Sequence, residues 1–126
     1  MFGMSEETIP FVGIAVPLAI SMGYDAITVG NHDIETGHDV YDRISASLSA
    51  YGIPLLGGNV IRVGSGGSYF PVYSVFRKAG LKVLVLGFEN ANMKSWLSES
   101  LWSGMDFLSL VPFVQECVDR AKTLMD

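Results

Sequence analysis

The feature that most constrains the fold is a pair of apolar runs at residues 72–77 and 81–88, separated only by Lys78, Ala79 and Gly80. So short a gap, closed by a glycine, makes consecutive strands turn back and pair antiparallel. A different pattern precedes it. An apolar run at 25–29 ends on Gly30 and Asn31, and residues 37–50 then carry Val40, Ile44 and Leu48 at helical spacing, with Tyr41 beside them. Residues 53–56 form another short apolar run. Strand, helix and strand in that order predict a parallel pair with the helix packed across it. The expected fold class is α/β, a layer sandwich whose mixed sheet is flanked by helices.

The remaining elements follow from local signals. Ser5 before Glu6 and Glu7 marks a helix start, since acidic residues suit the positive end of the helix dipole. That helix should reach about Met22, with Pro17 kinking or breaking it and Gly23 closing it. A short strand at 60–63 lies between the turns Gly57-Gly58-Asn59 and Gly64-Ser65-Gly66-Gly67. The second of these lacks a lysine and precedes a strand, so it reads as a turn and not as a phosphate loop. Residues 90–104 are expected to be irregular apart from one helical turn near 94–97, and 107–124 to form a final amphipathic helix. No repeat or linker divides the chain, and residues 1–126 suit a single domain.

Charge excludes one class of partner. The net charge is −5 and no Lys or Arg precedes Arg43, whereas Glu6, Glu7, Asp25, Asp33, Glu35, Asp39 and Asp42 all fall in that first stretch. A basic footprint for nucleic-acid phosphates is absent, so no nucleic-acid polymer is expected as a partner. The acidic stretch is compatible with a cation site, but most acidic surface of this kind is simply solvated. The single Cys117 forms no internal disulfide and, among apolar neighbours, reads as a buried inert thiol. The apolar run at 11–22 contains Pro17 and is too short to span a membrane, and the first ten residues lack the positive charge of a signal peptide.

Chemistry concentrates where the first strand ends. Asn31, His32, Asp33 and Glu35 crowd polar groups directly after an apolar run, at the place where open α/β sheets carry their sites. Two readings stand at this point: caps for the amides of the next helix, or a functional loop. The wider string Met22-Gly23-Tyr24-Asp25-Ala26, an apolar strand, then Gly30-Asn31-His32-Asp33 resembles the calcineurin-like metallophosphoesterases, in particular their 5′-nucleotidase and 2′,3′-cyclic-nucleotide phosphodiesterase branch. The resemblance continues through Ile34-Glu35-Thr36-Gly37-His38, Pro54-Leu55-Leu56-Gly57-Gly58-Asn59 and the Trp96 and Trp102 region, as far as about Phe107.

The resemblance implies a metal-dependent phosphohydrolase in which two divalent metal ions (Mn, Zn or Mg) activate a water against a nucleotide phosphate ester. Asn31 would be a metal ligand through its side-chain oxygen. His32 would stabilise charge on the phosphoryl group or help protonate the leaving oxygen, oriented by Glu35 where many relatives have Asp. Asp33 would support the site from behind or cap the helix. His38, a helical turn or so further on, reads as a local structural residue, with a substrate contact as the alternative. Counterparts of the family's Asp-x-His, Gly-Asp and Gly-His-x-His motifs are absent, as is the later substrate-binding domain. The chain therefore reads as an internal fragment of the catalytic domain, inactive alone and not retaining its metals. The alternative is a self-standing, non-catalytic α/β module for binding or interaction. An open sheet edge and self-association are expected, and the family resemblance implies a periplasmic, extracellular or cell-surface location.

Overall fold

The computed structural model describes residues 8–125, so the helix start read at Ser5, Glu6 and Glu7 lies outside the described residues. The elements run α1 (Thr8–Ser21), β1 (Ile27–Thr28), α2 (Asn31–Glu35), α3 (His38–Ala50), β2 (Leu55–Leu56), β3 (Val60–Arg62), β4 (Tyr73–Lys78), β5 (Leu81–Leu86), α4 (Met93–Trp96), α5 (Glu99–Trp102), β6 (Met105–Phe107) and α6 (Leu110–Met125). The chain is α/β, with parallel pairing in its first part and an antiparallel hairpin in its second.

Pro17 does not break α1, which runs through it. Pro17 lies on the exposed side while Val16, Ala19 and Ile20 pack on the core, so tertiary packing outweighs the lost backbone bond. Gly23, at φ +72°, ends the helix as expected. Its N–H donates to the Ile20 carbonyl at 3.1 Å and that of Tyr24 to Ala19 at 3.4 Å, which is the Schellman arrangement.

Strands β1 and β2 pair in parallel, Ile27 opposite Leu55 and Thr28 opposite Leu56. Helix α3 joins them and buries Val40, Tyr41 and Leu48 beneath the sheet. The hairpin β4–β5 is antiparallel from Tyr73 opposite Leu86 to Lys78 opposite Leu81. Its turn residues Ala79 and Gly80 both have positive φ, 52° and 79°, as a type I′ turn demands. A third ladder, β3 with β6, was not legible in the sequence, and residues 90–104 hold two short helices where one turn was expected. Strand β6 is only Met105–Phe107, too brief for an alternation to register, and it exists because Val60 to Arg62 offers it a partner.

Among the described residues the strands pair as three two-stranded ladders, one parallel and two antiparallel, joined by isolated bonds. The Gly58 N–H donates to the Gly87 carbonyl at 2.8 Å, and the Gly57 N–H to that of Pro71 at 3.0 Å. A Cβ on Gly87 would lie 2.4 Å from the Leu56 Cβ, so only glycine permits this approach. The core beneath includes Val29, Ile34, Leu48, Leu55, Phe70 and Met93. Tyr41, Tyr69 and Phe70 meet edge to face, with centroids 5.0 to 6.1 Å apart. Each fully buried large side chain contributes about 1.5–3 kcal/mol.

Candidate functional site

The site forms where β1 leaves the sheet. The Val29 N–H donates to Leu56 at 2.8 Å, the last bond of the parallel pair. Gly30 is still extended, at φ −111° and ψ 165°, and α2 starts on the next residue. The sequence predicted a loop over 30–35. The structure makes Asn31–Glu35 a short helix, because the Asp33 carboxylate reaches back to accept the Gly30 N–H at 2.7 Å. Gly30 has no side chain to return the favour, so the cap is one-sided. Asn31 is the first residue of α2, half-buried at the strand end.

His32 and Glu35, one turn apart, come together. Their Nδ1 and Oε2 atoms are 2.7 Å apart, with the His32 side chain 83% exposed. The hydrogen bond to Glu35, then the charge of Glu35, raises the imidazole pKa above its ordinary 6.5, with Asp33 adding to the same effect against slight desolvation. With Nδ1–H donating to the carboxylate, Nε2 is left facing solvent. A ring held this way can offer a proton or a hydrogen bond to a phosphoryl or leaving-group oxygen.

Sequence reasoning passed over Glu89, whose only signal was an acidic residue just past an apolar strand. It is 4% exposed. Its Oε1 accepts the Asn90 N–H at 2.7 Å, while Oε2 is buried without a hydrogen-bond partner among the described residues. Burial, and less strongly the nearby charge of Asp33, pushes its carboxyl pKa up, opposed by the Asn90 amide. Asn59 lies in the turn read from the sequence and also braces the strand end. Its Nδ2 donates to the Glu89 carbonyl at 2.7 Å and its Oδ1 accepts the Glu89 N–H at 2.7 Å. Gly58 bonds Gly87 and Asn59 bonds Glu89, so the two segments run in the same direction. The Gly30 turn, Asn59 and Glu89 therefore emerge at the same end of the sheet.

His38 lies elsewhere. Its Nε2 is 2.8 Å from the Ser103 carbonyl and its Nδ1 3.1 Å from the Tyr69 hydroxyl, which in turn donates to Asp42 at 2.7 Å. Burial first, and then the Asp42 bond, pushes Tyr69 up to about 12. This network joins α3 to the segment before β6. Trp102 is half-buried and donates to the Leu97 carbonyl at 3.0 Å, whereas Trp96 is exposed. Cys117 is half-buried, and burial raises its pKa. It lines an apolar groove of about 650 Å³ with Val72, Leu86 and Phe113, which none of the residues around Asn31 enters.

Among the described residues, no three His, Cys, Asp or Glu side chains gather as a metal site. The polar residues carried at this end of the sheet, Asn31, Asp33 and Glu89, offer oxygen donors. With the orphaned Glu89 Oε2, this set fits a hard divalent cation better than a soft one. Among the described residues no helix is long and apolar enough to cross a membrane.

No family model matches the chain. It is 27% identical over 86 residues to the 5′-nucleotidase of Vibrio cholerae, covering 68% of this chain and 15% of that protein. A calcineurin-like phosphoesterase of Bacillus subtilis superposes with a TM-score of 0.70 at 22% identity, over 86% of this chain and 34% of that one. A 5′-nucleotidase precursor of Thermus thermophilus gives 0.69 at 19% identity, over 86% and 21%. The chain thus spans less than a sixth of the length of that curated relative. It has the fold of a portion of the calcineurin-like phosphoesterase domain, and in sequence it is similar to the 5′-nucleotidases.

Proposed function

We propose that this chain is a portion of a metal-dependent phosphohydrolase of the 5′-nucleotidase type, whose reaction is hydrolysis of nucleotide phosphate esters. The observation that carries this reading is the 2.7 Å His32–Glu35 pair, set on the turn that leaves the C-terminal end of β1. Asn31 would hold metal from the first position of α2, and Asp33 shapes the turn by accepting the Gly30 N–H. Two divalent ions, Mn, Zn or Mg, would supply an activated water and offset the phosphate charge when bound. Glu35 holds the imidazole in one tautomer, and His32 Nε2 then meets the phosphoryl oxygen or protonates the leaving oxygen.

The ligands of the Asp-x-His, Gly-Asp and Gly-His-x-His motifs have to come from outside this chain, and the chain alone is proposed to be inactive and not to retain the two-metal centre. A nucleotide or another phosphate ester is the proposed substrate, with a periplasmic or cell-surface setting. The test is the translated sequence on either side, joined to a hydrolysis assay. Flanks with Asp-x-His and Gly-Asp upstream and Gly-His-x-His downstream support the reading. So does nucleotide turnover by the chain joined to those flanks that falls roughly 10²–10⁴-fold in His32→Ala. Appreciable turnover by the chain alone with added Mn or Zn would overturn its fragment part.

A second reading, a self-standing non-catalytic module, is favoured by one observation: no three His, Cys, Asp or Glu side chains gather among the described residues. Flanking sequence without the three motifs would select it.

A further inference from the structure

We propose that Glu89 is a cation-binding carboxylate, presenting Oε2 to a divalent metal ion held at the Asn31–Asp33 turn. The proposal rests on the phosphohydrolase reading but concerns a residue to which neither the sequence motif nor the resemblance gives a role.

Every other polar atom of Glu89 has a partner. Its N–H and carbonyl are taken by Asn59 at 2.7 Å each, and Oε1 accepts the Asn90 N–H at 2.7 Å. Only Oε2 is left, shut away from water and, among the described residues, without a hydrogen bond. Neither protonation state resolves this. As a carboxylate the oxygen lacks a donor; as an acid its O–H lacks an acceptor. A buried polar atom in that position is destabilising unless something arrives to meet it. The charge nearby is of the same sign, because Asp33 disfavours ionisation of Glu89. Among the described residues neither Asp33 nor Glu89 forms an ion pair with Lys, Arg or His. Two carboxylates at one sheet end, one buried and unpartnered, are satisfied together by a cation with hard-oxygen preference.

The burial of Oε2 also selects among ions. An ion that reaches it from the Asp33 side gives up hydration water in doing so. Mg²⁺ dehydrates reluctantly and keeps its octahedral waters. Mn²⁺ accepts the same carboxylate and carbonyl oxygens and gives up water more readily. The site therefore takes Mn²⁺ in preference to Mg²⁺.

The test uses the chain as it stands and Mn²⁺ alone, with no substrate. Amide resonances are followed as Mn²⁺ is added, since the paramagnetic ion broadens signals near its site. Broadening centred on residues 31–33 and 89–90 is expected at low Mn²⁺, with Mg²⁺ competing only at higher concentration. Glu89→Gln keeps the size of the side chain and removes the charge. It should weaken Mn²⁺ binding at least tenfold and leave the metal-free protein no less thermally stable. A purely structural Glu89 would instead lower metal-free stability in Glu89→Gln without changing Mn²⁺ affinity, and that result overturns the proposal. Broadening at 31–33 that is identical in the variant also overturns it, while leaving the phosphohydrolase reading to its own hydrolysis assay. Broadening confined to α6 around Glu116 and Asp119 overturns it as well. Should Glu89→Gln not fold, Glu89→Asp serves: an affinity equal to wild type counts against the proposal, a reduced one for it.

Discussion

The buried hydroxyl of Tyr41 donates to the carbonyl of Leu101 at 2.8 Å, joining the first turn of α3 to α5 across 60 positions of sequence. Tyr41 is fully buried, and burial strongly disfavours its ionised form, so this tie persists at any pH the fold survives. Tyr41→Phe keeps the packing and strands the Leu101 carbonyl. The expected loss is about 1–2 kcal/mol. In denaturant unfolding it should appear as a lower midpoint with an unchanged slope. An unaltered midpoint would mean that water reaches the carbonyl.

His32 should titrate above 6.5, because Glu35 favours its charged form. A raised folded-state value means the pair's stabilisation is fully present below 6.5 and disappears as pH rises through the folded value. Proton NMR of the imidazole checks this directly. Glu35→Gln should return the inflection toward 6.5, and an unmoved inflection would show that Glu35 is not the cause.

Ala79 occupies the left-handed region, at φ 52°, where a Cβ is unfavourable. Ala79→Asn keeps the turn and relieves the strain. A gain of roughly 1 kcal/mol is expected, read from the shift in thermal midpoint. Gly80→Ala, at φ 79°, should lose stability by a comparable amount.

Strand β1 pairs only with β2 among the described residues, and Thr28 on it is exposed. An unpaired edge of this kind templates association with another strand. Sedimentation of the chain over a wide concentration range should show mass rising with concentration. Thr28→Pro, which cannot donate along that edge, should reduce it; a clean monomer throughout would count against the edge.

The elements legible in the sequence were those whose signals are local. The hairpin could be read because Ala79-Gly80 separates two long apolar runs, and α3 because Val40, Tyr41 and Leu48 repeat at helical spacing. The helix at Asn31–Glu35 escaped, since its stabilising bond depends on how Asp33 folds back onto Gly30. Strand β6 escaped because it is specified by a partner more than 40 positions away, Val60 opposite Phe107. At the site, His32 and Glu35 were legible from a three-residue spacing and a motif. Glu89 was not, because its burial and its unpartnered oxygen arise only when β5 is laid beside the Gly57–Asn59 segment. No pattern within one segment encodes that meeting.

Asn59 turns that meeting into something heritable in a single codon. A β-ladder is nearly blind to sequence, since any residue other than proline supplies the same N–H and carbonyl. Beyond Gly58 the ladder stops, and the side-chain amide of Asn59 takes the place of the next peptide group, with one donor and one acceptor turned to the same residue. Its second N–H reaches Leu108 at 3.1 Å, so one carboxamide fixes three strand ends in register. Substitution by Asp would set an acceptor against two carbonyls, and by Leu would leave both atoms of Glu89 unpaired. The alignment of this edge is thereby a matter of side-chain identity, open to change by one mutation in a way that a backbone ladder is not.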